Sequence, residues 1–194
     1  MPEKTGGDAE MIEIELKGYA DDRIFERVRE RFEFMRKERQ EDLYFQHPCR
    51  DFAETDEALR IRIKKFNGHF EAFLTYKGPK LDRISKTRRE IEVPINDVDA
   101  YIDILHSLGF REVISVEKTR EKYYVEKGIT ITLDEVEGLG KFIEIEKLAG
   151  GDVSIDQEVE NLKKMLLDLG VRKFERRSYL ELLLQRGMND GQDR

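Results

Sequence analysis

Apolar and charged residues alternate along most of this chain. Residues 13–17 read Glu-Ile-Glu-Leu-Lys, and side chains two positions apart in a β-strand lie on the same face of the sheet. The same period of two recurs over residues 58–65, 70–77, 86–95, 112–126, 129–136 and 141–146, and a further strand is predicted over 34–45. The pattern predicts a protein built mainly from strands that each have an apolar face and a charged face.

Four shorter segments follow the period of an amphipathic helix. Asp21 and Asp22 can cap the first helix, and Asn96 is predicted to cap the second. Ser154 with Gln157 resembles a capping box that opens a third helix, and residues 178–185 suggest a last short one. The helices are too few to cover both faces of a large sheet.

No linker divides these elements, so residues 11–186 are predicted to form a single domain. The polar, Gly-containing residues 1–10 are expected to be a disordered leader, and residues 187–194 a disordered tail.

Sorting the strand residues by face separates an apolar set from an ionic set, which we call the ionic face. The apolar set contains Ile12, Ile14, Leu16, Leu59, Ile61, Ile63, Ala72, Leu74, Tyr76, Ile129, Ile131, Leu133, Ile143 and Ile145. The ionic face contains Glu13, Glu15, Lys17, Arg60, Arg62, Lys64, Lys77, Arg88, Glu90, Glu92, Lys118, Arg120, Lys122, Asp134, Glu144 and Glu146.

A solvated face of an antiparallel sheet also alternates, but such faces usually include Thr, Ser, Gln and Asn. Here the polar positions are almost wholly ionic. The prediction is an α+β fold: an antiparallel eight-stranded β-barrel, closed or nearly closed, with helices packed outside and the ionic face lining a tunnel.

Composition and charge limit the classes of partner. The chain has 194 residues, and its 35 Lys+Arg against 42 Asp+Glu leave a formal net charge of −7. Proteins that bind a nucleic-acid polymer usually carry a basic surface, so no such partner is expected. No apolar run reaches the length of a membrane span, so no membrane partner is expected either. The single cysteine, Cys49, excludes an internal disulfide and is consistent with a cytoplasmic location.

A tunnel lined by both kinds of charge needs ligands, because charges removed from water are costly unless they are paired. A chain of phosphates would compensate the basic groups, and a divalent metal would compensate the carboxylates. Since acidic side chains offer only oxygen ligands, Mg²⁺ or Mn²⁺ is favoured over zinc.

The ionic positions occur in an order that resembles the CYTH, or triphosphate-tunnel, family. The pentapeptide Glu13–Lys17 is similar to the ExExK signature of that family. Matching motifs follow in order at Asp42–Phe45, Ala58–Arg62, Thr75–Pro79, Lys118–Arg120 and Leu133–Glu146. The resemblance implies an eight-stranded antiparallel tunnel that binds triphosphates with a divalent metal. The motif details are most similar to the class IV adenylate cyclase branch.

Carried over position by position, the resemblance implies roles for individual residues. The implied metal ligands are Glu13, Glu15, Asp134, Glu144 and Glu146. The implied triphosphate-binding residues are Lys17, Arg60, Arg62, Lys77, Lys118 and Arg120. The implied catalytic residues are Lys77, Glu13 and Glu15. Secondary candidates on the same faces are Lys64, Arg88, Glu90 and Lys122.

Three functions remain open at this point. The first is a class IV-type adenylate cyclase that converts ATP to cyclic AMP and pyrophosphate. The second is a triphosphatase acting on inorganic triphosphate, thiamine triphosphate or a nucleoside triphosphate, and the third is a non-catalytic module that binds polyphosphate or nucleotide. In each case the partner is a small-molecule triphosphate, and the resemblance adds a possible homodimer.

Overall fold

The computed structural model describes residues 12–80, 88–126, 128–149 and 154–190. The leader predicted at residues 1–10 lies outside these ranges. Along the described chain the elements are β1 (Ile12–Tyr19), α1 (Asp22–Arg31), β2 (Glu33–Gln46), β3 (Ala58–Phe66), β4 (His69–Lys80), β5 (Arg88–Ile95), α2 (Val98–Ser107), β6 (Arg111–Glu126), β7 (Ile129–Val136), β8 (Gly140–Ala149), α3 (Ile155–Asp168) and α4 (Tyr179–Asp190).

The eight strands form one antiparallel sheet in the order β1-β8-β7-β6-β2-β3-β4-β5. The predicted α+β class and the antiparallel eight-stranded architecture are therefore confirmed. Within the described ranges no ladder joins β1 to β5, so hydrogen bonds leave the barrel nearly closed rather than closed. The outer edge of β1 is covered instead by the segment after α3: the N–H of Tyr19 donates to the Lys173 carbonyl and the N–H of Glu175 to the Lys17 carbonyl, both at 2.9 Å.

The sheet curls so that the ionic face is on the inside. Lys17 on β1 and Lys118 on β6 have two strands between them, which on a flat sheet would separate them by about 14 Å. Their ammonium nitrogens nevertheless lie 4.2 and 5.1 Å from the centroid of the same ring, that of Tyr179 in α4. This convergence is what a curled sheet with an inward ionic face produces.

The apolar face packs against helices, as predicted. One core joins β1, β6, β7 and β8 to α1 and α3, and its buried residues include Ile14, Ile131, Leu133, Ile143, Ile145, Val28, Leu162 and Leu166. A second core lies between α2 and strands β2 to β5, and its buried residues include Phe45, Ile61, Ala72, Ile95 and Leu105. Burying each large aliphatic side chain contributes about 1.5–3 kcal/mol, so these cores fix which face of the sheet turns outward.

The last helix, α4, is placed differently from the other three. Its Tyr179 and Leu182 are buried in a cluster with Val116, Val136 and Phe142. Val136 is directly opposite Lys118 and Phe142 is directly opposite Asp134 in their ladders, so both lie on the same side of the sheet as the ionic residues. The helix therefore covers one end of the ionic face rather than the outer face.

One of the predicted helix caps is wrong and another is right in position only. Asp97 rather than Asn96 caps α2, because its side chain accepts the N–H of Ala100 at 3.0 Å. Ser154 is the N-cap residue of α3, as predicted, but its side chain makes no cap hydrogen bond, so the predicted capping box does not form there.

The capping box occurs at α4 instead. There the N–H of Ser178 donates to Glu181 Oε2 at 2.6 Å, and the N–H of Glu181 donates to Ser178 Oγ at 3.2 Å. The helix continues to Asp190, into the segment 187–194 that was expected to be a tail. None of the helices in the described ranges is both long and apolar enough to cross a membrane.

Candidate functional site

Two carboxylates face each other at the acidic part of the ionic face. Glu15 is the ladder partner of Glu146 in the β1–β8 pair. Glu146 Oε1 accepts hydrogen bonds from Lys122 Nζ and Thr130 Oγ1, both at 2.7 Å. Burial opposes ionisation of Glu146, but these hydrogen bonds outweigh it and lower the pKa of the carboxyl below its ordinary value. Glu146 is thus an anion held next to a second acidic side chain.

Arg120 joins two of the predicted metal ligands. Its Nε and Nη2 donate to the two oxygens of Asp134 at 2.7 and 2.5 Å, and Nη2 also donates to Glu144 Oε2 at 2.5 Å. The hydroxyl of Tyr179 adds a hydrogen bond to Asp134 Oδ2 at 2.9 Å. Burial opposes the charge on Arg120, but the carboxylates of Asp134 and Glu144 outweigh it and raise its pKa. Asp134 must exchange one of these donors before it can bind a metal.

A further carboxylate, Asp42 of β2, lies among the predicted phosphate-binding residues. Its two oxygens accept from Nε and Nη2 of Arg62, both at 2.6 Å. Its Oδ2 is also 3.6 Å from Arg60 Nη1 and 3.8 Å from Lys118 Nζ. Burial opposes ionisation, but the three cations outweigh it and hold the pKa of Asp42 well below its usual range. The structure therefore brings Arg60, Arg62 and Lys118 together around one acidic group.

Lys118 is one of the most deeply buried cations of the ionic face. Burial, followed by the charges of Arg120 and Arg62, lowers the pKa of Lys118 to about 7, although Asp42 and Asp134 act in the opposite direction. Its ammonium group therefore gains or loses a proton near neutral pH.

Lys77, which the sequence assigns to catalysis, lies beside this cluster. Its Nζ is 2.8 Å from Glu90 Oε2, and Glu90 Oε1 is 4.0 Å from Arg60 Nη2. Burial, then the charge of Arg60, lowers the pKa of Lys77, while Glu90 raises it. Lys77 is thus connected to the phosphate-binding residues through Glu90. The side chain of Arg88, a secondary candidate, lies outside the described residues.

Lys17 is linked to the C-terminal segment. Its Nζ donates to the Arg177 carbonyl at 2.5 Å and lies over the Tyr179 ring. Side chains from β1, β6 and α4 and the backbone of the segment before α4 therefore meet at one place, although they are far apart in sequence.

Among the residues that the structure describes, several buried polar atoms on the ionic side have no well-aligned hydrogen-bond partner. They are Arg36 Nε, Glu38 Oε2, Gln40 Oε1, Arg60 Nε and Thr132 Oγ1. Arg36 Nε lies 3.0 Å from Glu38 Oε2 without the alignment of a hydrogen bond. Unmet hydrogen-bonding capacity in a buried site indicates a place for a polar ligand.

The sequence reasoning missed the contribution of β2. Glu38, Gln40 and Asp42 are buried, and the ladders place them opposite Arg120, Lys118 and Arg62. The available signal was the spacing of these three residues, since positions two apart share a face. It was obscured because the other face of β2 also carries charges at Lys37, Arg39 and Glu41.

The acidic residues fit a hard divalent cation by their chemistry. Glu144 and Glu146 share a face of β8, and Glu15 lies opposite Glu146, which gives an all-oxygen donor set suited to Mg²⁺ or Mn²⁺. Across the residues that the structure describes, no three acidic, His or Cys side chains are already gathered tightly enough to hold a metal. The side chain of Glu13, another of the five implied metal ligands, is not among those described.

A small cavity of about 270 Å³ lies beside these carboxylates, and its lining includes Lys122, Thr130, Glu146, Gly128 and Leu148. Its size is close to the lower end of ligand pockets. The cavity gives the acidic part of the ionic face access to a small ligand.

Comparisons with known proteins identify the family of the chain. A protein of Methanocaldococcus jannaschii, provisionally named adenylate cyclase MJ0240, is 46% identical over 177 residues, which cover 89% of this chain and 98% of that protein. Adenylate cyclase CyaB of Aeromonas hydrophila is 30% identical over 156 residues, covering 79% of this chain and 77% of that protein.

The solved structure of PH1819 from Pyrococcus horikoshii OT3 is similar to this one over most of the chain. It has a TM-score of 0.85 and 71% identity, and the match covers 90% of this chain and 99% of that one. A family model for the CYTH domain matches residues 11–179. The chain therefore belongs to the CYTH family.

Proposed function

We propose that this protein is a divalent-metal-dependent enzyme that binds ATP along the ionic face and converts it to cyclic AMP and pyrophosphate. The observation that carries the proposal is the division of charge on that face. Arg60, Arg62 and Lys118 converge in one region, and Glu15 and Glu146 are paired in another. Relatives named as adenylate cyclases at 46% and 30% identity favour a cyclase among the reactions of the family.

Arg60, Arg62 and Lys118, which we call the basic cluster, would bind the phosphates. Arginine presents two parallel N–H groups that match a phosphate, whereas lysine acts as a point charge. Arg60 suits this role because its side chain is only 8% exposed and its buried Nε has no hydrogen-bond partner within the described part of the chain. A triphosphate placed there takes up hydrogen bonds that the protein alone leaves unmade.

The acidic cluster supplies the metal site. Glu15, Glu146 and Glu144 would hold the cation, with Glu13 as a further ligand. When bound, a divalent cation would offset the charge of the phosphate oxygens and lower the pKa of the attacking hydroxyl. Lys122 and Arg120 now neutralise Glu146 and Glu144.

In the proposed reaction the 3′-hydroxyl of ATP gives up its proton to solvent and its oxygen bonds to the α-phosphorus. The bond from that phosphorus to the oxygen bridging to the β-phosphate breaks, and pyrophosphate leaves with the electron pair. The leaving pyrophosphate carries negative charge, which Arg60, Arg62 and Lys118 offset from fixed positions. Fixed charges directed at developing charge are usually the largest contribution to such a reaction. Lys77, connected to Arg60 through Glu90, is placed to offset charge at the reacting phosphate.

The test is to identify products. The full chain is incubated with ATP, inorganic triphosphate or thiamine triphosphate, each with Mg²⁺ or Mn²⁺, and the products are resolved by chromatography and phosphorus NMR. Cyclic AMP with pyrophosphate is expected from ATP. The Glu146→Gln variant is expected to be inactive, whereas Glu135→Gln, which changes an exposed residue on the other face of β7, is expected to retain activity.

Two other outcomes would replace this proposal. Orthophosphate without cyclic nucleotide would indicate a triphosphatase, which the same basic cluster would serve because it contacts phosphates whatever group they carry. Tight binding of all three compounds without any product would indicate a non-catalytic binding module.

A further inference from the structure

Asp42 occupies the middle of the basic cluster, and the roles proposed so far leave it without a function. It is 1% exposed. In the ladders it stands directly opposite Arg62 on one side and Val116 on the other. Its carboxylate therefore lies on the ionic side of β2, within the candidate site.

The contacts of Asp42 make it a shared counter-charge. It holds Arg62 through two hydrogen bonds of 2.6 Å, and its Oδ2 lies 3.6 Å from Arg60 and 3.8 Å from Lys118. Three cations converging in a buried region without an anion would repel one another at the full cost of their desolvation. One carboxylate that contacts all three makes the cluster stable before any ligand binds.

We propose that Asp42 is a positioning residue of the triphosphate site, which fixes the direction of the Arg62 and Arg60 guanidinium groups and holds the Lys118 ammonium group beside them, so that a triphosphate meets an assembled set of cations. The inference rests on the proposed function only in naming a triphosphate as the ligand. Asp42 itself touches no reacting group, and it acts through the three residues that do.

The charges around Lys118 support this role. Asp42 faces it from β2, Arg62 from β3, Arg120 from its own strand and Asp134 from β7, while the Tyr179 ring of α4 is shared with Lys17. Asp42 and Asp134 raise the pKa of Lys118, but Asp134 is already bound to Arg120 on both oxygens. Removing Asp42 should therefore lower the pKa of Lys118 from about 7 to a more acidic value.

The chain contains a matched control on the opposite face of the sheet. Glu121 is also buried and accepts two hydrogen bonds from one arginine, with Arg29 Nε at 3.0 Å and Nη2 at 2.9 Å. It is 8% exposed, and Lys37 Nζ is 3.1 Å away. Glu121→Gln and Asp42→Asn thus remove the same kind of ion pair, but only Asp42 faces the candidate site.

The experiment follows the titration of Lys118 in ligand-free protein by NMR of its side chain, and measures the affinity for inorganic triphosphate by calorimetry from pH 6 to 9. In Asp42→Asn the Lys118 midpoint should move to lower pH by about one unit or more. The pH above which affinity begins to fall should move by the same amount. Glu121→Gln should leave both unchanged, and a Lys118 midpoint that is the same in Asp42→Asn as in the wild type overturns the proposal.

A measurement on the unmodified chain covers the case in which Asp42→Asn does not fold. The carboxyl carbon resonance of Asp42 should follow the titration of Lys118, and a resonance that is indifferent to that titration also overturns the proposal. Neither NMR measurement uses a ligand. Failure of the wild type to bind inorganic triphosphate would therefore contradict the proposed function, and it is distinguishable from failure of the Asp42 assignment.

Discussion

Glu15 of β1 and Glu146 of β8 are direct partners in an antiparallel ladder. Directly opposed side chains on one face have Cβ atoms about 4.5–5.5 Å apart, and like charges in such positions destabilise a sheet. Lys122 and Thr130 offset part of this cost at Glu146. The cation of the proposed function, bound to both residues, would offset the rest of this cost.

The first prediction concerns this pair. Glu15→Gln and Glu146→Gln should each abolish the rise in melting temperature that Mn²⁺ produces in the wild type. Binding to the folded state alone stabilises by about 2.7 kcal/mol when the ion is at one hundred times its dissociation constant. Glu117→Gln, on the other face of β6 and paired with Arg39, is the control. An unchanged Mn²⁺ response in both acidic variants would remove Glu15 and Glu146 from the metal site.

The second prediction concerns phosphate binding by Arg60. Arg60→Ala should weaken binding of inorganic triphosphate by about 10- to 100-fold, because a hydrogen bond to a charged group contributes about 1.5–3 kcal/mol. Calorimetry measures the effect, and a circular dichroism spectrum checks the fold. Arg39→Ala removes an arginine that is 66% exposed on the opposite side of β2, and it should bind triphosphate as the wild type does. Equal affinity in the two variants would show that Arg60 does not bind the triphosphate.

The alternation of residues was sufficient to predict most of the sheet. On β1, β3, β7 and β8 one face is aliphatic. Because residues such as Ile14, Ile61 and Ile145 are buried against the helices, the charged residues of these strands must lie on the opposite, inner face of the sheet. On β2 this argument fails because both faces are polar near Asp42. Its direction is set by pairing with β3 and β6, which local sequence does not encode.

The contacts at the end of the ionic face that α4 covers could not be predicted from the sequence either. Tyr179 meets Lys17, Lys118 and Asp134 because α4 folds back over the sheet, and a hydrophobic period predicts a helix without saying where it docks. The cap of α2 illustrates a smaller ambiguity. Asn96 and Asp97 are adjacent residues that both favour N-cap positions, and only the observed bond to Ala100 distinguishes them.

The third prediction concerns pH. Burial and the charges of Arg120 and Arg62 lower the pKa of Lys118 to about 7, whereas bound phosphates favour its charged form and raise that pKa. Below pH 7 Lys118 is already protonated in the ligand-free protein, so its protonation should not change the affinity. Above pH 7 binding must take up a proton, so affinity for inorganic triphosphate should fall by up to about tenfold per pH unit.

The control for this prediction is Lys118→Arg, since arginine stays protonated throughout the range. In that variant the fall in affinity between pH 7 and 9 should disappear. A fall of the same size in Lys118→Arg would assign the pH dependence to another group.

The fourth prediction concerns Gly18, which follows Lys17 on β1. A Cβ at this position would overlap the Cγ1 methyl of Val171 and would lie 3.2 Å from the Lys173 carbonyl oxygen. Val171 is fully buried, so the segment that pairs with the edge of β1 would have to move. Overpacking of this kind costs about 1–3 kcal/mol. Gly18→Ala should therefore lower the melting temperature by about 2–4 °C for each kcal/mol lost.

The same displacement should be detectable at the candidate site. Lys17 donates to the carbonyl of Arg177, four residues along from Lys173 by number, so movement of the segment should also weaken triphosphate binding. Gly187→Ala is the matched control, because a Cβ on that α4 residue meets nothing within 4 Å and alanine favours a helix. It should melt at or above the wild-type temperature. If Gly18→Ala and Gly187→Ala had the same melting temperature, the close approach of β1 to the segment after α3 would not explain why residue 18 is a glycine.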